Sequence, residues 1–165
     1  MKVIRGSTIA LLLLAFALPA VAAAPIIIEN PISTFPIPAA AGCGTFDVLL
    51  TPQVGKPNGG QIIAFANGNA VFAGPAFVTL TNVSTGKSIN VNISGPAKQI
   101  FSTNTFTFVN LGLTLVIGNS PDNPPSLQGI ALANGRLVQT FDISTFNRIS
   151  VSFTGTAQNL CPLLQ

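Results

Sequence analysis

The stretch Ser88–Ser94, SINVNIS, alternates apolar and polar side chains at every step, with Ile89, Val91 and Ile93 on one face and Ser88, Asn90, Asn92 and Ser94 on the other. A period of two marks a strand with one buried and one wet face; a helix would repeat its apolar residues about every 3.6 positions. Arg148–Thr156, RISVSFTGT, has the same pattern and predicts Ile149, Val151 and Phe153 inward. Further segments bounded by Gly, Asn, Pro and Ser read as strands: 45–51, 61–66, 70–73, 77–82, 99–101, 105–109, 113–117, 129–133 and 137–142. Two turns are predicted. Asn134-Gly135 separates GIALA from RLVQTF by two residues that tolerate positive φ. Ser84-Thr85-Gly86-Lys87 joins FVTLTN to SINVNIS, with Gly86 at the left-handed position.

Roughly nine to eleven short strands and no long helix beyond the first residues predict an all-β fold of two packed antiparallel sheets. The expected architecture is a β-sandwich, immunoglobulin-like or jelly-roll, with a closed β-barrel as the alternative. No fixed-period repeat of the kind that builds a solenoid or propeller is read from the chain.

Residues 1–23 have the layout of a secretory signal peptide: Lys2 and Arg5, an apolar run from Ile9 to Leu18, then Pro19 and the small residues of AVAAA. The run is too short to span a bilayer as a helix, which takes about 20 residues. Cleavage is expected after Ala22 or Ala23. Residues 24–42 carry Pro25, Pro31, Pro36 and Pro38, and are predicted to be an extended linker or an irregular edge segment. Residues 43–165 then form a single sandwich domain.

Removing the signal changes the electrostatics. Lys56, Lys87, Lys98, Arg136 and Arg148 face Glu29, Asp47, Asp122 and Asp142, so five minus four leaves a net charge of +1. Nucleic acid, which calls for clustered Lys and Arg, is excluded as a partner. A membrane surface is excluded on the same ground, and low charge leaves little repulsion against self-association.

The two cysteines allow two readings. Ala40-Ala41-Gly42-Cys43 has the look of a lipid-attachment site, but Cys43 lies far beyond Leu18, where the apolar signal core ends, and Ala40 stands where Leu is expected. Cys43 and Cys161 instead bracket the domain, which in an exported chain predicts a disulfide between its ends.

Motifs with chemical content are few. STGKS, 84–88, has Thr81 where a phosphate-binding loop has its first Gly, and lacks the strand-to-helix setting. PNGGQ, 57–61, is a flexible turn. Asn119, Asp122 and Asn123 in the loop GNSPDNPPS offer oxygens to Ca²⁺, but one carboxylate is a poor complement for a hard dication. Asn82-Val83-Ser84 and Asn92-Ile93-Ser94 fit the N-glycosylation pattern, relevant only in a eukaryote, with both Asn82 and Asn92 expected on wet positions. With no His, there is no Ser-His or Cys-His pair and no group titrating near neutrality. Ser94 and Lys98 are four apart, not the three of Ser-x-x-Lys. No catalytic residue, metal ligand or cofactor-binding residue is expected. Trp and Tyr, the usual platforms for sugars and proline-rich peptides, are absent, and the twelve Phe, Phe106 and Phe108 among them, read as core.

The segments CGTFDVLL (43–50), VTLTNVSTGKSINVNISGPAK (78–98) and GTAQNLCPLL (155–164) resemble a group of small secreted proteins of unknown function common in actinobacteria. The resemblance implies an exported β domain with a terminal bridge and supplies no active site. Three functions are therefore weighed. The first is a secreted, non-catalytic structural or interaction module of the cell envelope or extracellular space, with an extracellular protein or surface polymer as partner. The second is a hydrolase using Asp47, Asp122 or Asp142. The third is a self-assembling surface protein.

Overall fold

In the computed structural model, residues 24–120 and 123–165 are described; the segment expected to be a signal peptide and Asp122 lie outside them. Eleven strands are present: β1 (Ile26–Asn30), β2 (Phe35–Ile37), β3 (Val48–Pro52), β4 (Gly60–Ala64), β5 (Ala70–Ala73), β6 (Phe77–Asn82), β7 (Ser88–Asn92), β8 (Ala97–Phe101), β9 (Thr105–Gly118), β10 (Gly129–Asp142) and β11 (Arg148–Asn159). They form a seven-stranded antiparallel sheet, β1-β4-β5-β8-β9-β10-β11, and a four-stranded one, β2-β3-β6-β7. The chain passes between sheets in pairs of strands, and neither sheet closes into a barrel. Residues 24–42 supply one edge of each sheet, β1 and β2.

The small sheet turns Ile37, Val48, Leu50, Val78, Leu80 and Val91 inward. From the large sheet Ile130, Leu115, Ile117 and Leu132 close over them, and Leu160, Cys161 and Leu164 of the short helix α1 (Cys161–Leu164) seal the end. Alternate residues of the same large-sheet strands point the other way. Val116, Ala131, Ala133 and Leu137 there make a second cluster, capped by Leu127.

Asn134-Gly135 is not a hairpin turn. It lies in the middle of the 14-residue β10, and the segments predicted as separate strands at 105–109 and 113–117 are likewise one strand, β9. Gly135 sits opposite Gly112 on β9 and Gly155 on β11, and all three have positive φ (77°, 150° and 146° for Gly112, Gly135 and Gly155). The line of glycines breaks the pleat and lets the backbones close up: a Cβ on Gly135 would stand 2.2 Å from the Thr154 carbonyl oxygen. The true β10–β11 turn lies at Ile143–Asn147.

Beside that turn the register slips between Thr140 and Phe141, which face Ser150 and Arg148 respectively. Ile149 is the skipped residue, so it is exposed rather than inward.

This hairpin is similar in sequence to an earlier one in the chain. Residues 77–95 align with 137–155 at a constant offset (82 plus 60 is 142), sharing Val78/Val138, Ser84/Ser144, Thr85/Thr145, Ile89/Ile149, Val91/Val151 and Gly95/Gly155. In both loops the first residue's side-chain oxygen accepts two backbone N–H groups: Asn82 Oδ1 from Ser84 and Thr85, Asp142 Oδ1 from Ser144 and Thr145. In both, the fifth residue has positive φ, 75° at Gly86 and 58° at Phe146.

Candidate functional site

The disulfide is formed: Cys43 is bonded to Cys161 across 118 residues of sequence. It joins the turn ahead of β3 to α1, beside the first residue of β10, Gly129.

Asn82 does not occupy a wet position. It is in phase with Val78 and Leu80 on the inward row of β6 and is 2 % exposed. Its Nδ2 donates to the Leu164 carbonyl at 3.0 Å, so the amide that a glycan would need is spent inside the fold. Asn92 is exposed, its Oδ1 accepting the Ser94 N–H.

Asp47 and Asp142 each hold local backbone. Asp47 accepts the Ala39 N–H at 2.7 Å, fastening the Pro-rich segment ahead of β3. Asp142 Oδ1 accepts four hydrogen bonds, from the hydroxyls and backbone N–H groups of Ser144 and Thr145. The Ser144 hydroxyl first, then the Thr145 N–H and hydroxyl, hold its carboxyl at about 2, below the usual carboxylate range. Ser94 Oγ accepts from the Ala76 N–H and donates to the Ala76 carbonyl, with no lysine involved. Asn119 and Asn123 turn their nitrogens, not their oxygens, to backbone carbonyls: Asn119 to Ala40 and Gly42, Asn123 to Gly118 and Leu127. Among the described residues no group of three potential metal ligands is assembled.

What the structure does bring together is aromatic. Phe106 stacks on Phe141 with ring centroids 5.0 Å apart and meets Phe101, Phe108 and Phe146 at 5.7 to 5.9 Å. Phe72 extends the cluster through Phe108. Register places Phe72, Phe101, Phe106, Phe108 and Phe141 on one face of the large sheet. The small sheet packs on the opposite face, so the group is not part of the main core. Phe106 at the centre is buried, but Phe101 is exposed at the rim and Phe146 is 70 % exposed.

Next to Phe146 lies an open cavity of about 460 Å³ between the end of β9 and the β10–β11 turn, lined by Ile117, Ser120, Asn123, Phe141, Phe146 and Arg148. Two of its lining residues carry a buried atom with no hydrogen-bond partner among the described residues, Asn123 Oδ1 and Arg148 Nε. The orientation of Asn123 is fixed, since its other end faces two carbonyls. A second cavity of about 470 Å³, beside the end of β1, is walled largely by the backbone of Gly59, Gly60 and Gly74 and carries one ionisable side chain, Glu29.

The sequence reading had no local signal for the aromatic group, because its rings come from four strands and a turn. Among the described residues no helix is long and apolar enough to cross a membrane. Compared with known proteins, the chain matches no family model, no curated protein and no solved structure.

Proposed function

We propose that this chain is an exported, non-catalytic β-sandwich that acts as a structural or interaction module of the cell envelope or extracellular space, with its aromatic end as the contact surface. The observation that carries the reading is Phe146. A bulky residue at positive φ is strained by about 1–3 kcal/mol, and the similar β6–β7 loop has the unstrained solution, Gly86, at the same place. Contact with the Phe106 ring offsets part of that cost, yet the side chain stays 70 % exposed. Strain maintained for an exposed ring favours a role in meeting a partner.

The disulfide supports the compartment, since such bonds persist where the surroundings are oxidising. Asp142 argues against the hydrolase alternative: a carboxylate with four donors on one oxygen is poorly placed to accept a proton near neutrality. The test has two arms. The chain, expressed with its own leader in a bacterial host, is expected in the medium or envelope fraction with its disulfide formed. The purified product is expected to adsorb to cell-wall polymer or surface protein, and Phe146→Ser with Phe101→Ser is expected to abolish adsorption. Turnover of a hydrolase substrate that Asp142→Asn removes would overturn the proposal.

A further inference from the structure

We infer that the exported protein forms a twofold dimer by antiparallel pairing of β1 with β1 of a second copy. Among the described residues nothing pairs with the outer edge of β1, and its isoleucines are bare on both faces: Ile26, Ile27 and Ile28 are 65, 60 and 49 % exposed. An apolar edge strand is a template for another strand. The chain protects its two large-sheet edges differently. At the other edge, β11 is bulged beside Ile149, carries the positive-φ Gly155 and is lined with Ser and Thr, which spoils it as a flat template. β1 has no bulge or glycine along its length, only the one charge of Glu29, with Pro25 and Pro31 at its ends confining any pairing to the five residues between them.

Self-complementarity selects the second copy as the occupant. An antiparallel twofold centred on Ile28 sets Ile28 against Ile28 of the other copy, Ile27 against Glu29, and Ile26 against Asn30. The two Glu29 carboxylates then never face each other directly, and a net charge of +1 adds little repulsion. Ile26 and Ile28 share the face of Ile62, Phe72 and Phe108, so pairing makes one continuous apolar face from two. Because the contact uses the same edge on both copies, it closes at two. The inference stands apart from the contact role proposed above: a monomer would leave that role intact, and loss of wall adsorption would leave the dimer intact.

The chain is expressed with its own leader, and the secreted product is followed by sedimentation velocity from about 1 to about 500 µM, because five residues bury far less than the ~800 Å² per partner of a standard interface. A reversible shift from monomer to dimer that stops at dimer is expected. Ile27→Glu sets a second carboxylate against Glu29 of the other copy, and the pair occurs twice. It should raise the dissociation constant about tenfold or more, with an unchanged circular dichroism spectrum. Register is read by mild oxidation: Ile28→Cys should cross-link to itself, and Ile27→Cys should cross-link to Glu29→Cys in a mixture better than either does alone. A monomer at every concentration, growth beyond dimer, or a dimer indifferent to Ile27→Glu would each overturn the inference.

Discussion

Replacing Asn82 by Asp exchanges an amide nitrogen for an oxygen and tests whether the inward row of β6 depends on a donor there. In the native protein Nδ2 donates to the Leu164 carbonyl at 3.0 Å, while Oδ1 receives the Ser84 and Thr85 N–H groups at 2.9 and 3.3 Å. The substituted carboxylate would keep the loop's acceptor and turn the other contact into two oxygens facing each other at 2 % exposure. An unsatisfied buried group costs about 1–3 kcal/mol, more when it is charged. The two N–H donors stabilise the carboxylate and offset part of that, so a loss of about 3 kcal/mol near neutral pH is expected. For a mature chain of roughly 140 residues this lowers Tm by roughly 10 °C. Protonation would restore an O–H donor toward Leu164, so the folded pKa of the introduced carboxyl should lie above its unfolded value of about 3.9. The folded form then binds the proton more tightly: the penalty is small below about pH 4 and develops as pH rises through the folded pKa. Urea denaturation followed by far-UV circular dichroism suits a chain without Trp or Tyr. A variant within about 0.5 kcal/mol of wild type at neutral pH, the usual range of a surface substitution, or a penalty that grows on acidification, would refute the reasoning.

Asp142 in the similar β10–β11 loop should behave in the opposite sense. Its pKa is depressed to about 2, so the stability it contributes is present above the unfolded pKa near 4 and is lost as pH falls toward 2; Asp142→Asn should flatten the acid limb of a stability-versus-pH curve there. Phe146→Gly should relieve positive-φ strain while losing the Phe106 contact, leaving stability within about 1 kcal/mol of wild type; calorimetry showing a far larger loss would mark the ring as core. Gly135→Val should cost several kcal/mol, since its Cβ would stand 2.2 Å from the Thr154 carbonyl oxygen; soluble expression with an unchanged melt would disprove the close approach. Reducing Cys43–Cys161 reopens a loop of 118 residues and should cost about 5 kcal/mol on the chain-entropy estimate, visible as a lower urea midpoint in reductant.

The strand pattern was legible because it is local. SINVNIS presents Ile89, Val91 and Ile93 to the core, and the terminal bridge follows from having only two cysteines, one at each end of the domain. Asn134-Gly135 misled because tolerance of positive φ is all a sequence displays. Whether that tolerance serves a turn or a crowded strand crossing depends on Gly112 and Gly155, far away in the chain. Asn82 carried a readable clue, its phase with Val78 and Leu80, but the carbonyl that makes its burial tolerable belongs to Leu164, 82 residues later. Ile149 followed the alternation faithfully and was displaced by a one-residue slip that alternation cannot encode. The aromatic site was hidden for a related reason: Phe106 and Phe108 read as core because each ring alone fits a core, and only assembly places them on the face away from the small sheet.

The two similar hairpins differ where their surroundings do. In the first hairpin the loop-opening residue is Asn, whose donor anchors α1 beside the disulfide, and the left-handed position is Gly86, open to solvent and unstrained. In the second hairpin the opening residue is Asp, solvated and saturated by its own loop, and the left-handed position is Phe146, pressed on Phe106. The 14 residues of β10 separate the two, with Gly129 at the clasp and Asp142 at the aromatic turn. Constraint is thus concentrated around the first hairpin: the covalent bridge, Leu164, Leu160 and the buried amide together leave little freedom to vary. Around the second the backbone is equally well tied by Asp142, but the Phe146 ring stays exposed. An exposed side chain such as that of Phe146 can therefore vary with little effect on the core.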